Sequence, residues 1–228
     1  MRRKLHRAVL WVGLLGLVIG WIGRATAEES RWEPRIRAFE ALDAEKMPPE
    51  GGIVFIGSSS IVGWDVEQSF PDLPVVNRGF GGSQIADSVL FAPRILLPYK
   101  PKTVVFYAGD NDIAAGKTPE RVLADFREFV GVVHSALPNT RIVFIAIKPC
   151  MKRWALVDEV RKANRLVREV VATDERLVFV DIDAPSLGED GKPRRELFKA
   201  DQLHLNAEGY RLWTSLVRPH LLDTSETP

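Results

Sequence analysis

Three serines stand in a row at Ser58, Ser59 and Ser60, and much further along the chain comes Asp201-Gln202-Leu203-His204. A serine hydroxyl is a poor nucleophile until a base takes its proton, and imidazole is the side chain best suited to that task near neutral pH. Asp201 precedes His204 by three residues, about one helical turn, so the two side chains are able to face each other. The carboxylate then accepts from one ring nitrogen, fixes the tautomer and leaves the other nitrogen for a hydroxyl. The other histidines fit this work less well: His6 lies in the basic N-terminal stretch, which is expected to be cleaved off, His134 in a helical stretch, and His220 follows the last helix. Two more polar clusters accompany these residues, Gly79-Phe80-Gly81-Gly82-Ser83 and Gly109-Asp110-Asn111-Asp112. Gly82 lacks a Cβ, so its backbone is free to approach a ligand, and Asn111 offers a neutral side-chain donor. Each feature also has a plainer reading. Three serines after a strand make a helix N-cap or a phosphate-binding turn, and Gly82 and Asn111 are common turn residues. Asp112 is expected to steady its own turn rather than to move protons.

Around these clusters, short apolar runs alternate with longer amphipathic stretches. The runs at 53–56, 75–77, 103–107, 141–147 and 177–181 are β-branched or aromatic-rich and nearly continuous, which predicts parallel strands buried on both faces. Helical spacing predicts helices over 83–97, 119–137, 156–173 and 207–216, with another over 35–44 ahead of the first strand. Thr118 and Pro119 supply a cap and a proline at the first helical position. The alternation predicts a three-layer α/β/α sandwich around a flavodoxin-like five-stranded parallel sheet, order 2-1-3-4-5. In that order the winding reverses between strands 1 and 3, and ligands bind beyond the carboxyl ends of the strands at such a switch point. The polar clusters therefore share one rim of the sheet. His204 has enough chain to reach it. Strand 5 lies roughly 15 Å from strand 1, and the loop-like segment 182–203, with Pro185, Gly188, Gly191 and Pro193, spans several times that distance when extended.

Taken in order, Gly57-Ser58-Ser59-Ser60 with Trp64, the Gly81-Gly82 turn, Gly109-x-Asn111-Asp112 and Asp201-x-x-His204 resemble the four signature blocks of the SGNH (GDSL-type) hydrolase family. The layout is most similar to its platelet-activating-factor acetylhydrolase-like esterases, and the resemblance runs over roughly 52–213. It implies a flavodoxin-like fold and hydrolysis of esters, thioesters or sugar acetyl groups without a cofactor. It also aligns the family nucleophile with Ser59 and implies Asp201 and His204 as the base system. The implied oxyanion hole consists of the Ser59 and Gly82 backbone N–H groups and the Asn111 side-chain amide. One departure stands out: the usual Gly-Asp-Ser is Gly-Ser-Ser here, so Ser58 replaces the aspartate and Ser60 becomes a competing nucleophile. Trp64, Arg153 and Trp154 are expected to shape an acyl or leaving-group pocket, with packing or surface roles as the alternative. Lys148 and Pro149 fall at the same rim with no chemistry assigned to them.

The expected reaction is hydrolysis of a small-molecule or glycan-linked ester through an acyl-enzyme. Two readings from other classes stand beside it: a flavodoxin-like module cradling a phosphate or flavin at 57–60, and a non-catalytic glycan-binding relative. No metal is expected, because no spaced Cys/His set accompanies His204. The serine block also lacks the Gly-x-Ser-x-Gly of a conventional α/β-hydrolase.

Charge and compartment complete the reading. Five of the 31 basic residues precede Ala27, whereas the first acidic residue is Glu28, so the remainder carries 26 basic against 30 acidic residues, a net of −4. A mildly acidic body has no electrostatic reason to seek nucleic acid. The basic stretch 1–7, the apolar run 8–22 and Ala25-Thr26-Ala27 have the form of a cleavable signal peptide. This predicts a signal at 1–27, a hydrolase domain at 28–228 and a periplasmic or extracellular enzyme with no stable membrane span. A retained membrane anchor is the alternative. Cys150 is the single cysteine, so no intrachain disulfide is available, and it follows an apolar strand as a buried structural thiol would. The sequence does not determine oligomeric state or acyl and alcohol preference.

Overall fold

A computed structural model describes residues 30–221; the signal segment expected at 1–27 lies outside the described residues. The chain enters through helix α1 (Glu33–Glu45) and then strand β1 (Ile53–Gly57). The short helices α2 (Ser59–Val62) and α3 (Val66–Ser69) lead to β2 (Val75–Gly79), α4 (Ile85–Ile95) and β3 (Thr103–Tyr107). After α5 (Asp110–Ala114) come α6 (Pro119–Ala136), β4 (Arg141–Ile145), α7 (Val157–Val171), β5 (Leu177–Val180) and α8 (Ala207–Val217). The five strands form one parallel sheet in the order β2-β1-β3-β4-β5, as the strand–helix alternation predicts. Right-handed crossovers over a parallel sheet put helices on both faces.

Side-chain alternation along the strands divides the core in two. Val54, Ile56, Val104, Phe106, Ile142 and Phe144 face a thick layer built by α1, α4, α6 and α7. Phe55, Val105, Tyr107, Val143 and Ile145 face a thinner layer in which α8 supplies Trp213 and Val217, and the α2–α3 region supplies Ile61, Trp64, Val66 and Phe70. The central strands β1 and β3 are buried throughout, whereas the edge strands β2 and β5 are half-exposed.

Helix ends follow local chemistry. Thr118 caps α6, its side chain accepting from the Arg121 N–H, with Pro119 next in line. Asn206 caps α8 by accepting from the Glu208 and Gly209 N–H groups. The fourth strand ends at Ile145, two residues before its expected limit. The reason is tertiary: Asn164 of α7 takes both backbone groups of Ile147, accepting from its N–H at 2.8 Å and donating to its carbonyl at 2.9 Å. No helix of the described residues is long and apolar enough to cross a membrane.

Candidate active site

Gly57 ends β1 with φ +138°, and a Cβ there would stand 1.9 Å from the Tyr107 carbonyl oxygen. Only glycine fits so close to a neighbouring backbone. This approach lets the Ser58 N–H donate to the Tyr107 carbonyl at 3.0 Å and turns the chain into α2, with Ser59 as its first residue. Ser59 is half-buried, while Ser58 and Ser60 are fully buried. The Ser60 hydroxyl accepts from the Lys148 ammonium at 3.1 Å, so of the three serines it is Ser59 that opens toward the rim.

His204 arrives from the other end of the chain. Its Nε2 lies 3.1 Å from Ser59 Oγ, and its Nδ1 lies 2.6 Å from Asp201 Oδ2. An ionised carboxylate only accepts, so Nδ1 carries the proton and Nε2 is left to accept from the serine hydroxyl. The second Asp201 oxygen accepts from the Leu203 and His204 N–H groups, each at 3.0 Å. The hydrogen bond with the His204 ring, followed by these backbone donors, holds the Asp201 carboxyl well below the usual carboxylate range. The turn is fixed from outside as well: the Lys199 N–H donates to the His204 carbonyl at 2.8 Å, and the Lys152 N–H to the Gln202 carbonyl at 3.1 Å. Gln202 itself takes a left-handed φ of +55°, a conformation that persists only where surroundings hold it.

The Gly81-Gly82 turn closes over the same spot. A Cβ added at Gly81 would stand 3.9 Å from Ser59 Cβ, and Gly82 has φ +76°. Next to this turn, Asn111 donates one amide N–H to the Ser83 carbonyl at 3.0 Å, which leaves its second N–H unspent in that bond. Asp112 is buried and does more than steady its own turn: it accepts from the Ile85 N–H at the start of α4 and from Lys117 at 2.9 Å.

Behind this rim lies a buried polar cluster. Lys148 donates to Asp110 at 3.0 Å, to the Tyr107 hydroxyl at 3.0 Å and to Ser60 at 3.1 Å. Arg153, in the 3₁₀ turn Met151–Leu156, donates to Asn111 Oδ1 at 2.9 Å and stands 3.2 Å from Asp110. Burial pushes the Asp110 carboxyl up, but Lys148 and then Arg153 bring it below its ordinary value. Burial pushes the Lys148 ammonium down, and Asp110 more than reverses that.

The profile of the GDSL-like lipase/acylhydrolase family matches residues 55–212. The chain belongs to this family. As a member it is a carboxylic ester hydrolase of the SGNH type. Among solved structures, a proposed platelet activating factor from Streptococcus pneumonia superposes with a TM-score of 0.75 at 21% identity, covering 83% of this chain and 92% of that one. A GDSL-like lipase from Bacteroides thetaiotaomicron gives 0.69 at 19%, with 82% and 96% covered. A carbohydrate esterase family 3 protein from Talaromyces cellulolyticus gives 0.61 at 15%, with 75% and 96% covered. No curated protein matches the chain.

Within this GDSL-like hydrolase the expected pocket residues take different places. Trp64 is 2% exposed, packs among Phe55, Phe70, Tyr210 and Trp213, and donates its indole N–H to Ser69. It belongs to the core, with an edge on a groove of about 770 Å³ that neither Ser59 nor His204 lines. Trp154 is half-buried between Lys192 and Arg161, 4.6 and 5.7 Å from its ring centre. Of the three, Arg153 alone bonds to a predicted site residue. His134 is spent on the Thr140 carbonyl at the far end of β4. Sequence reasoning missed the Lys148–Asp110 pair, although a lysine closing a buried apolar strand is itself a signal that a counter-charge must lie near. It also missed Arg31 and Trp32, which no motif marks.

Proposed function

We propose that this ester hydrolase works through an acyl-enzyme formed on Ser59. The reading rests above all on the unbroken line from Asp201 through His204 to Ser59 Oγ, at 2.6 and 3.1 Å. His204 accepts the Ser59 proton as Oγ adds to the ester carbonyl, and Asp201 steadies the imidazolium. The Ser59 and Gly82 N–H groups and the Asn111 amide hold the negative charge on the tetrahedral oxygen. His204 then protonates the departing alcohol, and water repeats the sequence to release the acid. The substrates are small or glycan-linked esters of short acids; a fold neighbour that is a carbohydrate esterase supports the glycan-linked part of this reading. The stretch 1–27 serves as a signal peptide, so the enzyme, residues 28–228, acts outside the cytoplasm. The N-terminal sequence of the exported protein, expected to begin at Glu28, checks this point.

The deciding experiment is a panel of p-nitrophenyl esters of rising acyl length, run with wild type and Ser59→Ala. Turnover is expected to vanish in the variant, and a fluorophosphonate probe is expected to label the wild type at Ser59 alone. Wild-type turnover in Ser59→Ala excludes the assignment.

A further inference from the structure

The segment ahead of α1, outside the stretch 55–212 that the family profile matches, reaches into the site. Trp32 donates its indole N–H to the Gly81 carbonyl at 2.9 Å, and Arg31 donates to the Gly82 carbonyl at 2.9 Å. We infer that Trp32, seconded by Arg31, is a positioning residue that sets the direction of the Gly82 N–H toward the substrate oxygen. The inference rests on the role proposed above for Gly82.

The reasoning is that of a rigid plane. The Gly81 carbonyl and the Gly82 N–H belong to one peptide unit, which is planar and trans, so the two groups point in opposite directions. A donor holding the oxygen on one side therefore aims the N–H to the other. The turn's own bond, from the Ser83 N–H to the Phe80 carbonyl, is long at 3.4 Å, and with two glycines at its centre it leaves the middle peptide free to flip between turn types. Drawing electron density toward the oxygen also makes the N–H a stronger donor. Arg31 holds the next peptide in the same way through the Gly82 carbonyl. Its guanidinium lies 4.1 Å from the Trp32 ring centre, so the two side chains form one stacked unit.

The brace is itself anchored. Trp32 is the N-cap residue of α1 and meets Phe80, the residue before the glycines, edge to face at 6.0 Å. Helix α1 is pinned to α4 by Arg94, which donates to Glu33 at 2.8 and 2.9 Å and to Glu40 at 2.6 and 2.7 Å. Arg78 at the end of β2 bonds Asp43 from the other side. Position is thus passed from the helix through an indole to one peptide plane beside Ser59. Cleavage after Ala27 leaves both Arg31 and Trp32 in the exported chain.

The test is Trp32→Phe, which keeps an aromatic ring against Phe80 and removes the N–H donor together with part of the indole, with Arg31→Met beside it. Steady-state kinetics on p-nitrophenyl acetate, thermal melting and the Gly82 amide resonance in a ¹⁵N-labelled sample are the readouts. Trp32→Phe is expected to lower kcat by about tenfold to a hundredfold, less than the ~10²–10³ of outright donor loss. KM and melting temperature should stay at wild-type values while the Gly82 resonance shifts or broadens; Arg31→Met should give a smaller loss of kcat. An active wild type with unchanged kcat in Trp32→Phe overturns the brace and leaves the acyl-enzyme reading standing. A wild type inactive on the whole ester panel sinks that reading instead. The brace is then judged on the Gly82 resonance, and an unmoved signal in Trp32→Phe overturns it.

Discussion

Arg153 donates to Asn111 Oδ1 at 2.9 Å, and this bond decides which way the Asn111 amide faces. A guanidinium has donors only, so it selects the oxygen end of the amide and turns the nitrogen end toward Ser83 and the serine rim. Asn111 Nδ2 duly donates to the Ser83 carbonyl at 3.0 Å. A residue expected to line a pocket thus orients a proposed oxyanion donor.

Replacing Arg153 by Met, which keeps length and removes the charge, should lower kcat by about tenfold, less than loss of a whole donor. In an Asn111→Ala background the same change should cost almost nothing, because residues acting through one contact are non-additive. Equal losses in both backgrounds would show that Arg153 acts by another route.

Asp201→Asn should lower kcat by up to ~10⁴, since an amide favours the wrong imidazole tautomer while leaving the geometry nearly intact. Circular dichroism should be unchanged. An activity within a few fold of wild type removes Asp201 from the base system.

The Lys148–Asp110 pair is buried, its two side chains 1% and 5% exposed. Stranding a buried charge costs about 3–5 kcal/mol; Lys148→Met leaves Asp110 only the Arg153 guanidinium at 3.2 Å, so part of that cost should appear as a lower urea midpoint. Replacing both, as Lys148→Met with Asp110→Leu, should recover much of the loss, because the one cation left near the pair, Arg153, is partly exposed and keeps its bond to Asn111. If the double variant is as unstable as the single one, the stranded-charge account is wrong.

The same pair gives a pH dependence. Asp110 is held below its ordinary pKa in the folded state, so its contribution is present above the unfolded carboxylate value, about 4, and fades as pH falls through the folded value. Lys148 is held above its ordinary value, so its contribution is full below about 10.4 and fades as pH rises beyond it. The stability gap between wild type and the double variant should therefore change at both extremes and stay flat between. Urea midpoints measured across pH check this, and a gap that drifts through neutrality contradicts it.

Cys150 is 4% exposed, and burial raises its thiol pKa. A thiol reagent at neutral pH should leave the native protein unmodified and label one site per chain in denaturant, because only the exposed thiolate reacts. Rapid labelling of native protein would place Cys150 at the surface.

The order of the sheet was legible in the residues themselves, and the pairing of Ser59 with His204 was legible in the ordered blocks that resemble the SGNH family. Five apolar runs separated by amphipathic stretches leave few arrangements that bury both faces of a parallel sheet, and those arrangements carry the carboxyl ends of all strands to one rim. Asp201 and His204 are three residues apart, so their pairing is local and the motif suffices to state it. Contacts between residues far apart in the chain were not legible. Whether Lys148 meets Asp110, whether Arg153 turns toward Asn111 rather than solvent, and whether Trp64 fills the core depend on strand register and helix placement. Trp32 and Gly81 are 49 positions apart and share no motif, and only the docking of α1 against α4 and β2 brings them together. Short-range chemistry and hydrophobic period thus determined which groups gather at the rim. Packing decided which neighbours aim them, since a side chain's direction is a property of the folded surroundings and not of its place in the chain.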